Sequence, residues 1–332
     1  MFCGQFSRRS LLAGATVALA GTSFGRALAQ SDFKSPVSRL RISTFKEPNY
    51  STGYVLEKVA PPGLTIDVIS TSTNSDALDA LLSGDTDMSY MGVIACSVAV
   101  GRNRPVRAVA SAGSKGSRLT VRKDSGITSV KMLAGKNVGV AKSTNQDLIL
   151  RELLRQAGID PIKGVNYILL PSDTQVESLL NKTVDAVCSP EPYGSLLLKT
   201  GLVNELAPGS YDTEVGNPGV LVALSKKTID EKPELAQFLT TLHAKATLWS
   251  KRNPDELVKT FLQITRMKED VVRLAMDNSA IHYNIDDNYI ARAQKVVEAL
   301  RGANYFAGEF DVGTAFDTRF LPQAREAAGE II

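Results

Sequence analysis

Short runs that alternate apolar and polar residues take turns along most of the chain with longer runs whose apolar residues recur every three or four positions. Leu40-Arg41-Ile42-Ser43 and Leu64-Thr65-Ile66-Asp67-Val68-Ile69 alternate and therefore predict strands. Between them, residues 53–58 read as a short helix stopped by Pro61-Pro62-Gly63. Ser72-Thr73-Asn74-Ser75 offers helix caps ahead of Ala77, Leu78, Leu81 and Leu82, Gly84 ends that helix, and Asp87 leads into the strand Met88-Ser89-Tyr90-Met91. Strand, helix, strand, helix, strand is the order of a parallel sheet with covering helices.

A further strand at 106–110 is followed by Ser111-Ala112-Gly113-Ser114-Lys115-Gly116-Ser117, a small-residue stretch without periodicity that predicts a linker. The pattern then restarts, with strands at Leu119-Thr120-Val121, Val138-Gly139-Val140, Tyr167-Ile168-Leu169-Leu170 and Ala186-Val187-Cys188. Helices are expected at 129–133, at 146–157 and from Thr174 onward. A second Gly-rich stretch, 209–219, precedes the apolar strand Val220-Leu221-Val222-Ala223-Leu224, and the remainder reads as helix. There Leu235, Phe238, Leu239, Leu242, Ala246 and Trp249 share one face, and further helices are expected at 254–264, 268–278 and 286–301. The expectation is an α/β chain of two lobes, each a mainly parallel sheet with covering helices, joined by two crossovers. Residues 36–113 and 219–332 would form the first lobe, with the C-terminal helices packed on it, and residues 118–215 the second.

Ahead of these elements, Arg8 and Arg9 precede an apolar stretch that ends at Ala27-Leu28-Ala29, the three parts of an export signal over residues 1–29. Ser7-Arg8-Arg9-Ser10-Leu11-Leu12 resembles the twin-arginine signal of bacteria, with the general secretion route as the alternative, and periplasmic localisation follows from either. The chain's 38 basic residues include Arg8, Arg9 and Arg26, so without the leader basic and acidic residues balance at 35 each. A neutral mature protein gives no reason to expect nucleic acid as a partner. Cys3 leaves with the leader, and Cys96 and Cys188 are expected as buried thiols.

The motifs of bond-making chemistry are missing from the sequence. His243 and His282 are its only histidines, and each reads as packing or surface. There is no HExxH, CxxC, G-x-S-x-G or glycine-lysine phosphate loop, so no catalytic residue, metal or cofactor is assigned. What recurs instead is small polar residues where a strand gives way to a helix, the place where free backbone N–H groups meet a polar or anionic ligand. These junctions fall at 45–50, 71–74 and Gly92 in the first lobe and at 142–146 and 189–193 in the second.

Gly126-Ile127-Thr128-Ser129-Val130-Lys131-Met132-Leu133-Ala134-Gly135-Lys136-Asn137-Val138-Gly139-Val140 resembles a segment of the nitrate, sulfonate and taurine group of ABC-transporter substrate-binding proteins. So do Ala80-Leu81-Leu82-Ser83-Gly84-Asp85-Thr86-Asp87, Val184-Asp185-Ala186, Pro190-Glu191-Pro192-Tyr193, Lys232-Pro233-Glu234-Leu235 and Asn253-Pro254-Asp255-Glu256. The resemblance implies a type II periplasmic binding protein, monomeric and free of cofactor, that closes on a small anionic or polar organic ligand and hands it to an ABC permease in the inner membrane. It places ligand contacts at Lys46, Asn49, Thr73, Asn74 and Gly92 in one lobe and at Ser143, Thr144, Asn145, Glu191 and Tyr193 in the other. Where many relatives carry a Trp before the Glu-Pro pair, this chain has Ser189-Pro190. Lys46 reads equally as a solvated lysine, Glu191 as a turn cap, and Tyr50 and Tyr193 as cleft wall or core. The competing readings are a protein of pyrimidine or thiamine-precursor biosynthesis on the same fold, and a periplasmic partner of a receptor kinase.

Overall fold

The computed structural model describes residues 33–142, 144–209, 215–303, 305 and 309–329. The expected leader and Ser143 lie outside the described residues. The chain opens with β1 (Arg39–Thr44), in which Leu40 and Ile42 are wholly buried while Arg39 faces solvent. The single short helix expected at 53–58 is instead a pair of 3-10 helices, Pro48–Tyr54 and Leu56–Val59. Pro48 suits a helix start, but Gly53 lies so close to β1 that a β-carbon there would come within 2.9 Å of the Thr44 side chain, and the segment hugs the sheet.

β2 (Thr65–Ser70), α1 (Asn74–Ser83), β3 (Met88–Gly92), α2 (Val93–Gly101) and β4 (Val106–Lys115) follow in order. β5 (Ser117–Arg122), β6 (Asn137–Val140), α3 (Asn145–Gln156), β7 (Asn166–Leu169), α4 (Gln175–Leu180), β8 (Ala186–Pro190), α5 (Tyr193–Lys199) and β9 (Val203–Glu205) come next. The chain then makes β10 (Val220–Ser225), α6 (Lys226–Glu231), α7 (Pro233–Arg252), α8 (Pro254–Thr265), α9 (Glu269–Asp277), β11 (Ser279–Ile281), α10 (Asp287–Gly302) and α11 (Leu321–Ala328).

These strands form a six-stranded sheet in the order β11-β4-β10-β3-β1-β2 and a five-stranded sheet in the order β7-β6-β8-β5-β9. The parallel pairing expected of strand–helix–strand units joins β1 to β2 and β3, and β6 to β7 and β8. β4, β5 and β10, which carry the chain between the sheets, pair antiparallel instead. The stretch expected as a linker at 111–117 is mostly strand. β4 runs on to Lys115 because β11, unforeseen in the sequence, pairs with its end as Ser279↔Lys115 and Ile281↔Gly113. Gly116, at φ 78°, makes the turn into β5.

Each sheet has its own core. Leu40, Ile42, Met88, Leu221 and Leu224 share one cluster with Leu239, Leu242, Val296 and Leu300, so the C-terminal helices pack on the first sheet. Leu119, Val138, Val140, Ile149 and Leu154 make a second cluster. Burying such side chains contributes about 1.5–3 kcal/mol each.

Both histidines are internal. The His243 Nε2–H donates to the Ser111 carbonyl at 2.8 Å, which leaves Nδ1 to accept the Tyr90 hydroxyl at 2.9 Å. Ser111 Oγ donates to the Asn284 carbonyl at 2.6 Å and accepts from His282 Nδ1 at 2.7 Å. Burial lowers both imidazoles to about 4 from the ordinary 6.5. The unfolded chain therefore binds more protons than the fold between those values, and this part of the stability disappears as pH falls from about 6.5 to about 4. Glu47, which burial raises to about 7, acts in the opposite direction between 4.5 and 7. Two histidines against Glu47 leave a net loss on the order of 1 kcal/mol per pH unit between pH 6.5 and 4.5, of which Glu205, also raised by burial, offsets a part. Urea midpoints at pH 7 and pH 4.5 check this, and a midpoint that holds steady or rises toward acid contradicts it.

Candidate functional site

The site is built where strands of both sheets end. From the first sheet, β1 ends in Phe45-Lys46-Glu47 and the 3-10 helix that carries Tyr50. Phe45 and Tyr50 pack with ring centroids 4.8 Å apart, which fixes the Tyr50 ring against the sheet. Tyr50 is only 7% exposed, and its hydroxyl has no partner among the described residues. That hydroxyl points toward the start of α2, where a β-carbon on Gly92 would stand 3.8 Å from it and 3.7 Å from the end of Asn74. Asn74 Oδ1 accepts the Gly92 N–H at 2.8 Å, which leaves the Asn74 amide hydrogens facing the same space. The start of α2 has no side-chain cap, and Val93 N–H reaches the Gly219 carbonyl at 2.9 Å. Gly92, Asn74 and Tyr50 thus gather at one point, and Asn145 joins them from α3, donating from Nδ2 to the Pro218 carbonyl at 3.3 Å beside Gly219.

Other expected contacts are used locally. Thr73 Oγ1 accepts Asp76 N–H at 3.1 Å as the cap of α1. Thr144 Oγ1 caps α3 by accepting from Asp147 N–H and donates to the Ala141 carbonyl at 2.7 Å. Asn49 is buried against β4, its carbonyl 2.4 Å from where a Gly113 β-carbon would lie. Lys46 is exposed. Ser143 lies outside the described residues.

Glu191 occupies the joint between the sheets rather than an open wall. It is 1% exposed, and its oxygens take Arg118 Nε at 2.6 Å, Ser195 N–H and Oγ at 2.9 Å each, and Asn278 Nδ2 at 2.8 Å. Arg118 also reaches Glu205 at 2.6 Å, and burial raises the Glu205 carboxyl above its usual range. With its lone pairs filled by protein donors, Glu191 ties β8 and β5 to the end of α9. Two residues on, Tyr193 is half-buried at the start of α5. Burial raises its phenol, as do the charges of Asp173 and, from the first sheet's side, Glu47.

Sequence reasoning missed Glu47, Arg118 and Asn278. Arg118 directly precedes the strand at 119–121, but Lys115, Arg122 and Lys123 lie as close to it, so its position alone did not single it out. Glu47, next to Lys46 in an irregular loop, had no signal either.

Cys96 and Cys188 are free and buried, and burial raises the Cys96 thiol to about 12 and the Cys188 thiol further, so neither supplies a thiolate. Among the described residues no group of three or more His, Cys, Asp and Glu could hold a metal ion, and no helix is long and apolar enough to cross a membrane.

Two sheet-based halves, linked by two passages of chain and meeting at strand ends, have the fold of a type II periplasmic binding protein. The chain belongs to the NMT1-like family, whose pattern matches residues 44–262. It is 24% identical over 278 residues to a Bacillus subtilis protein named for binding aliphatic sulfonates, a match that covers 82% of each chain. Among solved structures, the alkanesulfonate-binding protein SsuA from Xanthomonas axonopodis pv. citri, bound to MOPS, superposes with a TM-score of 0.73 at 18% identity, covering 86% of this chain and 99% of that one. The periplasmic nitrate-binding protein NrtA from Synechocystis PCC 6803 superposes with a TM-score of 0.70 at 14% identity, covering 89% and 90%.

Proposed function

We propose that this protein is the solute-binding component of an ABC importer. It captures a small polar or anionic organic compound in the periplasm and delivers it to an inner-membrane permease. The observation that carries this reading is the meeting of polar groups from both sheets, Tyr50, Asn74 and Gly92 on one side and Asn145 on the other, with no metal set among the described residues. The sulfonate- and nitrate-binding names of its relatives support that ligand range.

In this reading the solute touches both halves and shifts the population toward a closed form, with Gly116 and the return passage near Gly219 as hinges. Each neutral hydrogen bond contributes about 0.5–1.5 kcal/mol net, so several of them with some apolar burial reach micromolar affinity, about 8 kcal/mol. Thermal unfolding of the mature protein with nitrate, aliphatic sulfonates, carboxylates and MOPS tests the proposal. A cognate compound at 100 times its Kd adds about 2.7 kcal/mol of stability and raises the Tm. A Tm indifferent to every compound contradicts the proposal.

A further inference from the structure

α3 is shared between the two halves. Ile149, Leu150, Leu153 and Leu154 pack in the core of the second sheet, whereas Leu148 packs in the core of the first. The first turn of the same helix holds Asn145, which donates to the Pro218 carbonyl beside Gly219. Two residues on, Asp147 is wholly buried, and its Oδ1 takes Arg151 Nε at 2.9 Å. Arg151 is fixed within the second half: Nη1 donates to the Pro161 carbonyl at 2.7 Å, and the guanidinium stands 4.4 Å from the centre of the Tyr167 ring on β7.

The first half completes this pair. Tyr305 follows α10, its N–H donating to the Leu300 carbonyl at 3.0 Å and its side chain packing against the first core. Its hydroxyl donates to Asp147 Oδ2 and accepts from Arg151 Nη2 at 3.1 Å. The Arg151 guanidinium lies 5.5 Å from the centre of the Tyr305 ring and Lys142 Nζ 5.6 Å from it. Lys142 belongs to the loop between β6 and α3, so both cations come from the second half. Burial and the Asp147 carboxylate raise the phenol to about 12, so the hydroxyl keeps its proton at ordinary pH.

A hydroxyl placed between a carboxylate and a guanidinium makes stronger bonds than one between neutral groups, because each partner is charged. Here both partners stand in the helix whose first turn supplies the second half's contribution to the candidate site. On the solute-binding reading above, we infer that Tyr305 is a positioning residue of that site: through Asp147 and Arg151 it fixes the first turn of α3 on the first half and so holds Asn145 at the solute.

The test is calorimetry on the natural protein, Tyr305→Phe, Asn145→Ala and the double variant, with the tightest binder among nitrate, propanesulfonate, butanoate and MOPS. Tyr305→Phe keeps the ring and leaves Asp147 paired with Arg151, so the chain should fold, and its Kd should rise about tenfold. Asn145→Ala should weaken binding as well. In that background Tyr305→Phe should add less than about a twofold loss, because the residue through which it acts is gone. A general loosening of the fold would not vanish in this way. If Tyr305→Phe does not fold, Asp147→Asn, which weakens the acceptor for the hydroxyl, takes its place in the cycle with the same expectation. An unchanged Kd in Tyr305→Phe overturns the inference, as does a tenfold loss that persists without Asn145. Those results leave solute binding standing, whereas a panel in which no compound raises the Tm of the natural protein overturns solute binding and the inference together.

Discussion

Arg118→Met is expected to cost about 3–5 kcal/mol of folding stability, the range for removing one partner of a buried ion pair. Arg118 is 8% exposed and holds two carboxylates, Glu191 and Glu205, at 2.6 Å each. Methionine fills much the same volume but leaves those carboxylates facing each other without a cation. Ser195 and Asn278 still donate to Glu191, but their neutral hydrogen bonds cannot balance a charge held away from water. Because Asn278 lies at the end of α9 and Glu191 follows β8, the loss falls on the joint between the two sheets. Adding Glu191→Gln should recover part of it, because the unpaired charge disappears. Urea midpoints of the natural chain, the single variant and the double variant check this. A single-variant loss below about 1 kcal/mol would place the pair with weak surface bridges.

Gly113→Ala is expected to be nearly as damaging, about 3 kcal/mol or more, through overpacking rather than charge. A β-carbon at position 113 would lie 2.4 Å from the Asn49 carbonyl oxygen and 2.7 Å from that of Ala280. Both obstacles are backbone, so the 3-10 helix at 48–54 or strand β11 would have to move away from β4. Asn49 is followed directly by Tyr50, so the same displacement reaches the Tyr50 hydroxyl and should weaken solute binding as well. Gly302→Ala is the control. It sits at the end of α10 with nothing within 4 Å of an added β-carbon, and alanine there should be neutral or stabilising by up to about 1 kcal/mol. Equal midpoints for the two variants would contradict the close approach.

The strand–helix alternation was legible in the sequence because half-buried strands and one-sided helices leave periods of two and 3.6. β1, α1, α7 and α8 carry such patterns, and the α1 cap at Thr73 and stop at Gly84 stand as read. α2 was not legible, since Val93-Ile94-Ala95-Cys96-Ser97-Val98-Ala99-Val100 is apolar almost all round and has no face to reveal. β11 was missed for another reason: three residues are too few for a pattern, and only their pairing with β4 makes them a strand.

The site divides in the same way. Asn74 and Gly92 were legible as a helix start and a strand end, and the structure brings them together. Thr73 and Thr144 carry the same hydroxyl signal but use it in capping, a distinction no spacing reveals. Glu191 had no sequence sign that Arg118, 73 positions earlier, would occupy it.

Small-angle X-ray scattering of the mature protein, with and without a compound that raises its Tm, tests most directly whether binding draws the two halves together. The radius of gyration should fall and the curve should change shape when the ligand saturates, with Asn74→Ala requiring more ligand to reach the same end point. Superimposable curves at saturating ligand would show that the molecule binds without closing, and would contradict the account.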